Sequence, residues 1–179
     1  MFKKSLLMLM ALFVIAYVYT HYNMKVTDPN FLTAPLSEIE EKFDYGHEID
    51  PKVSKVTVAW HLDHMLKTIN EICKALEASN PDAFKASINF SRIISLTLNY
   101  IPRGAAQSPS IVLPSGNITQ SDLQRQLEEA KNRLILVFEL PDNAHFNHPY
   151  FGIINRGQAL RFIEVHTHHH LKIVRDILK

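Results

Sequence analysis

Four imidazoles occupy five consecutive positions near the end of the chain, in His166-Thr167-His168-His169-His170. Neutral imidazole is the commonest side-chain ligand for metals and suits zinc, nickel, iron and copper. His166 and His170 are four residues apart, so on a helix they project from one face and can share an ion. His168 and His169 diverge from that face by roughly 100–200° and read as solvent-facing or as outer partners of the ligands. The run is not a tag, because Thr167 interrupts it and Leu171-Lys172-Ile173-Val174 carries the helix onward. His170 also falls in an apolar stripe with Leu160, Ile163, Thr167, Val174 and Ile177, which directs its ring inward. An unpartnered polar ring there costs ~1–3 kcal/mol, so a metal ion or a hydrogen bond is expected.

A single helix cannot close such a site, and a third ligand must come from elsewhere in the fold. The segment Trp60-His61-Leu62-Asp63-His64 offers two candidates, His61 and His64. It lies in a long amphipathic stretch over residues 53–79, where Ala59, Leu62, Leu66, Ile69, Cys73 and Leu76 recur at steps of three and four. His64 lies nearly opposite that stripe, on a face with Val53, Val56 and Trp60. A ligand role for it therefore requires this helix to be covered on both sides.

Asn80-Pro81-Asp82 has the composition of a helix start and predicts a second helix reaching about Tyr100. Residues 101–118 carry Pro102, Gly104, Pro109, Pro114 and Gly116, and form a long irregular crossover. A third helix is expected over residues 121–140, a second irregular loop over 141–157, and the histidine helix over 157–178. Ser37-Glu38-Ile39-Glu40 has capping-box spacing and would open a short helix ending near Phe43. Four amphipathic helices joined by long crossovers predict an all-α four-helix bundle.

The bulk numbers are compatible with one domain over residues 30–179, large enough for a proper core. With 19 basic against 18 acidic residues there is no electrostatic footprint for nucleic acid. The single cysteine, Cys73, forbids an intramolecular disulfide and reads as a small buried core residue. Residues 1–25 read as a targeting segment: Lys3 and Lys4 precede an uninterrupted apolar run over residues 6–19. Tyr17, Tyr19 and Tyr22 would suit an interfacial belt, favouring an uncleaved transmembrane signal anchor over a cleaved signal peptide. Either form places the bundle outside the cytoplasm, membrane-anchored or secreted.

A tryptophan four residues ahead of a histidine on an early helix, followed by a C-terminal His-x-x-His-His, resembles the DinB/YfiT-like metal-binding four-helix bundles. The similarity is strongest to a bacterial branch of unknown function. Its Pro/Gly loop resembles Ile101-Pro102-Arg103-Gly104, its His-Pro-aromatic-Phe-Gly motif His148-Pro149-Tyr150-Phe151-Gly152, and its closing motif the sequence from His166 to Leu171. The resemblance covers about residues 36–178. It implies that His64, His166 and His170 bind a divalent metal, zinc or nickel foremost, with iron or manganese as alternatives. The family often places Gln three residues after the last ligand, where this chain has Ile173.

Around these three, Trp60 reads as packing or as a wall of the metal pocket. His148 is either a proton shuttle to the metal or a structural hydrogen-bonding group. His169, Asp63 and Glu164 neighbour the ligands and could orient an imidazole. Three neutral histidines leave an open coordination position, as catalytic zinc sites require. The resemblance thus implies a metal-dependent transferase or hydrolase acting on an unspecified small molecule, and it is compatible with a homodimer. The rival expectation is a non-catalytic, membrane-tethered metal-binding or interaction bundle. A fourth protein ligand such as His148 would favour the rival; an open position would favour the enzyme.

Overall fold

The computed structural model describes residues 2–104, 107–114 and 116–179, with the side chains of Phe2, Lys3, Lys4, Leu6, Leu7 and His21 outside the description. The chain is mainly helical. Its described helices are α1 (Phe2–Asn23), α2 (Thr33–Glu41), α3 (Val58–Glu77), α4 (Phe90–Leu98), α5 (Gln120–Phe138) and α6 (Arg156–Ile177). A two-stranded antiparallel hairpin, β1 (His145–His148) and β2 (Gly152–Asn155), precedes α6.

α3 is the central element. It packs against α5 on one side and α6 on another, and it is buried around most of its circumference. Leu62, Met65, Leu66, Ile69, Cys73 and Leu76 face the core, meeting Leu127, Ala130 and Val137 of α5 and Leu160, Ile163, Leu171 and Val174 of α6. Each fully buried leucine or isoleucine contributes roughly 1.5–3 kcal/mol relative to exposure. The 3-10 turn Ser110–Val112, from the long crossover, lies against α3 on the face that the apolar stripe leaves free. That cover resolves the position of His64, which is buried although it faces away from the stripe.

Local chemistry sets the boundaries. Thr57 caps α3 by accepting the Trp60 N–H at 3.3 Å, and the expected helical residues 53–57 are instead turns held by Asp50. Thr119 with Asp122 and Asn155 with Gln158 form reciprocal capping boxes at the starts of α5 and α6. α2 starts earlier than its Ser37 signal, at Thr33, and Ser37 lies inside it.

Two expected elements differ. The helix expected from Pro81 to about Tyr100 is only α4, because Asn80 caps a single 3-10 turn and a second cap intervenes. Asn89 accepts the Arg92 N–H at 2.9 Å and donates to the Tyr150 carbonyl at 3.0 Å, which holds the stretch before α4 against the hairpin. The helices packed on α3 are therefore the long α5 and α6, with α4 and α2 short and the long α1 lying against α4. The loop expected over residues 141–157 contains the hairpin: His148-Pro149-Tyr150-Phe151-Gly152 makes its turn, closed by Gly152 at φ +66°.

The expectation of a transmembrane signal anchor is corrected. Among the described residues, no helix is long and apolar enough to cross a membrane. The uninterrupted apolar run of α1 covers residues 6–19. At 1.5 Å per residue it spans about 21 Å, short of a hydrocarbon core of about 30 Å. α1 lies against α4, and its residues 8–19 are exposed. The reading of the Lys3 and Lys4 side chains lies outside the described residues.

Candidate metal centre

α3 and α6 bring His64, His166 and His170 together. One ring nitrogen from each lies within 4.8 Å of the others, and among the described residues this is the group able to hold a metal ion. Nitrogens bound to zinc sit about 2.0–2.1 Å from the ion, hence at most about 4.2 Å from one another. The three nitrogens thus stand farther apart than they would around a bound ion. His64 and His166 are buried, and His170 as a whole residue is half-buried. The rings of His166 and His170 lie 4.5 Å apart between centroids, as the four-residue spacing on one helix face dictates. The His64 ring completes the triangle, 5.0 Å from His166 and 4.8 Å from His170.

The orientation of His64 comes from backbone. Its Nδ1–H donates to the Val112 carbonyl at 2.8 Å, which puts the lone pair on Nε2, where Ser108 Oγ lies at 3.5 Å. A ring held this way through its other nitrogen is the usual outer support of a metal-binding histidine. Trp60 stacks on His64, with centroids 5.1 Å apart and planes at 27°, so it is a wall of the cluster. On its other side Trp60 borders a cleft of about 600 Å³ lined by Phe43, Ile49, Lys55, Val56 and Ile118 among others. The three clustered imidazoles do not line that cleft.

Burial, with the neighbouring imidazoles second, holds His166 and His170 well below the usual histidine range. Burial also lowers His64, against the opposing pull of the Val112 carbonyl. All three are therefore neutral, the form that ligates, at pH values below the ordinary 6.5 as well as above it.

Other expected contributors have different roles. His148 is buried, and its Nδ1 accepts the N–H groups of Tyr150 and Phe151, both at 3.2 Å. Its ring stacks on Phe151 and meets Phe162 edge-on at 4.4 Å. It staples its own turn and is outside the ligand group. His169 is half-buried, touches the edge of His170 at 5.1 Å and hydrogen-bonds to the Ile101 backbone. Asp63 orients no imidazole: its carboxylate takes Gln126 Nε2 at 2.6 Å and Lys67 Nζ at 2.7 Å, tying α3 to α5. Glu164 pairs with Arg161 at 2.5 Å.

Three participants were hidden in the sequence. The Val112 carbonyl carries no residue-type signal at all. His61, legible only as a rival third ligand, instead places its Nδ1 3.0 Å from Nδ1 of His170. Ser54, in the turn before α3, lies 3.0 Å from His61 Nε2.

Three neutral nitrogen donors, two of them (His64 and His170) hydrogen-bonded through a ring nitrogen, lie close enough to bind a metal ion. Comparison with protein-family models, with curated proteins and with solved structures finds no match to this chain.

Proposed function

We propose that this chain is a divalent-metal-binding protein of the DinB/YfiT-like bundle type, with His64, His166 and His170 as ligands and an open coordination position. The observation that carries the reading is the convergence of three imidazole nitrogens from two helices within 4.8 Å. A divalent ion held there would supply Lewis acidity and lower the pKa of a water or thiol at the open position. The chain's own contribution is to hold three neutral ligands, with the rings of Trp60 and Phe162 packed against His64 and His166.

That the Nδ1 of His148 is occupied by its own turn supports a three-ligand site over a closed one. A metal-dependent transferase or hydrolase is therefore favoured over a purely structural site. For location, Lys3 and Lys4 ahead of a short apolar run support export with a cleaved signal, which N-terminal sequencing of the mature protein tests.

The decisive experiment is elemental analysis of the full chain, prepared without a polyhistidine tag, beside a His166→Ala/His170→Ala variant. One equivalent of a divalent metal is expected in the native protein and almost none in the variant, with helical circular dichroism retained in both. Equal metal in both would overturn the assignment. An exchangeable fourth ligand, seen as a spectral change when azide or thiol is added to the cobalt form, would support the open position.

A further inference from the structure

We infer that His61, anchored by Ser54, is the positioning residue for His170, and that it sets the tautomer in which His170 can ligate. The inference rests on the metal-site reading above and extends it to residues outside the ligand set. The two Nδ1 atoms are 3.0 Å apart, so one hydrogen lies between them, and a neutral ring carries only one N–H.

Two arrangements satisfy that contact. In one, His61 Nδ1–H donates to His170; the proton of His170 then sits on Nε2, which cannot bind a metal. In the other, His170 Nδ1–H donates to His61 Nδ1, and the lone pair of His170 falls on Nε2, available to the group that it forms with His64 and His166. His61 must then carry its own proton on Nε2, where Ser54 Oγ accepts at 3.0 Å. Ser54 Oγ also accepts the Val56 N–H at 3.3 Å, so both of its lone pairs are used and the hydroxyl is held in place. The order of donors thus runs outward, from His170 through His61 to Ser54.

The surroundings reinforce the assignment. His61 is buried, 4 % exposed, with Trp60 edge-on to its ring at 5.4 Å. Two ligands are therefore supported by different devices: His64 by a backbone carbonyl, His170 by an imidazole. The difference matters because an imidazole acceptor can be replaced by mutation, whereas a carbonyl cannot.

The test uses the untagged full chain carrying His61→Leu, His61→Asn or Ser54→Ala. Loss of an outer partner of a metal-binding histidine typically weakens metal affinity about 10–100-fold. His61→Leu should show that loss in zinc competition titrations, together with a shifted visible spectrum of the cobalt form. His61→Asn, whose Oδ1 can accept the same hydrogen bond, should recover most of the affinity and the native spectrum; Ser54→Ala should fall between. Nitrogen-15 imidazole spectra of the zinc form should show His170 protonated at Nδ1.

A His61→Leu protein that binds zinc as tightly as the native chain, with an unchanged cobalt spectrum, would overturn the inference. So would equal loss in His61→Leu and His61→Asn when both retain native thermal stability. A native chain that binds no metal would instead overturn the metal-site reading itself, and the two failures are therefore distinguishable.

Discussion

The two long connections of this chain look alike in sequence and are opposite in use. The crossover over residues 101–118 lacks an obvious catalytic residue, yet its Val112 carbonyl holds His64 at 2.8 Å. The connection over residues 141–155 carries His148, the kind of side chain that attracts a catalytic reading, yet His148 Nδ1 is consumed by the N–H groups of its own turn. Both histidines are buried and both are pushed down in pKa by burial. What separates them is which partner saturates which nitrogen. His64 is held through one nitrogen with the other turned to the cluster, and His148 is held within a hairpin behind Phe162.

Breaking the crossover should have the largest effect. Replacing residues 108–113 by a Gly/Ser linker of equal length keeps a carbonyl at position 112 but removes the buried Val112 side chain and the 3-10 turn that place it, and should weaken zinc binding about 10–100-fold by competition titration. Native affinity in that variant would show that His64 needs no support from the crossover. In contrast, His148→Phe should leave metal affinity unchanged and reduce stability. It keeps a ring against Phe151 and Phe162 but orphans two N–H donors, at about 1–3 kcal/mol for each buried group. Urea unfolding reads the loss; a fall in metal occupancy instead would erase the contrast between the two connections.

Acid sharpens the comparison further. His148 titrates at about 4 when folded against an ordinary 6.5, so below pH 6.5 the unfolded chain binds a proton that the folded chain refuses. The stability associated with neutral His148 is thus full above pH 6.5 and is lost as pH falls toward 4. At 1.36 kcal/mol per pH unit this is about 2 kcal/mol at pH 5. Metal-free native protein should show that slope in urea midpoints, and metal-free His148→Phe a shallower one; parallel slopes would refute the assignment to His148. The smallest effect is expected at His169, which touches only the edge of His170. His169→Ala should change metal affinity by about threefold or less, and a larger loss would make it part of the ligand support.

Much of the helical scaffold was legible because its signals are local. The apolar period of α3, α5 and α6 gives the core residues, and the starts expected at residues 121 and 157 lie one residue from the observed Gln120 and Arg156. The failures share a cause as well. Asn80 and Asn89 both have cap chemistry, and whether one long helix or a turn and a short helix results depends on Asn89 reaching the Tyr150 carbonyl in the hairpin. The expectation of a spanning anchor over residues 1–25 fails because interfacial tyrosines cannot lengthen an apolar run that is too short.

The sequence by itself determined that His166 and His170 share a helix face, since four-residue spacing fixes that geometry whatever the surroundings. It also determined that Cys73 is a core residue, with its thiol pushed up to about 12 by burial. Only the tertiary structure decided between His61 and His64, three residues apart on α3. Helical periodicity sets His64 nearly opposite the apolar stripe, and it cannot supply the Ser110–Val112 turn that covers that face. That choice is made by a carbonyl 48 residues downstream of His64 and by a serine in the turn before α3, groups whose partners exist only once the chain has packed.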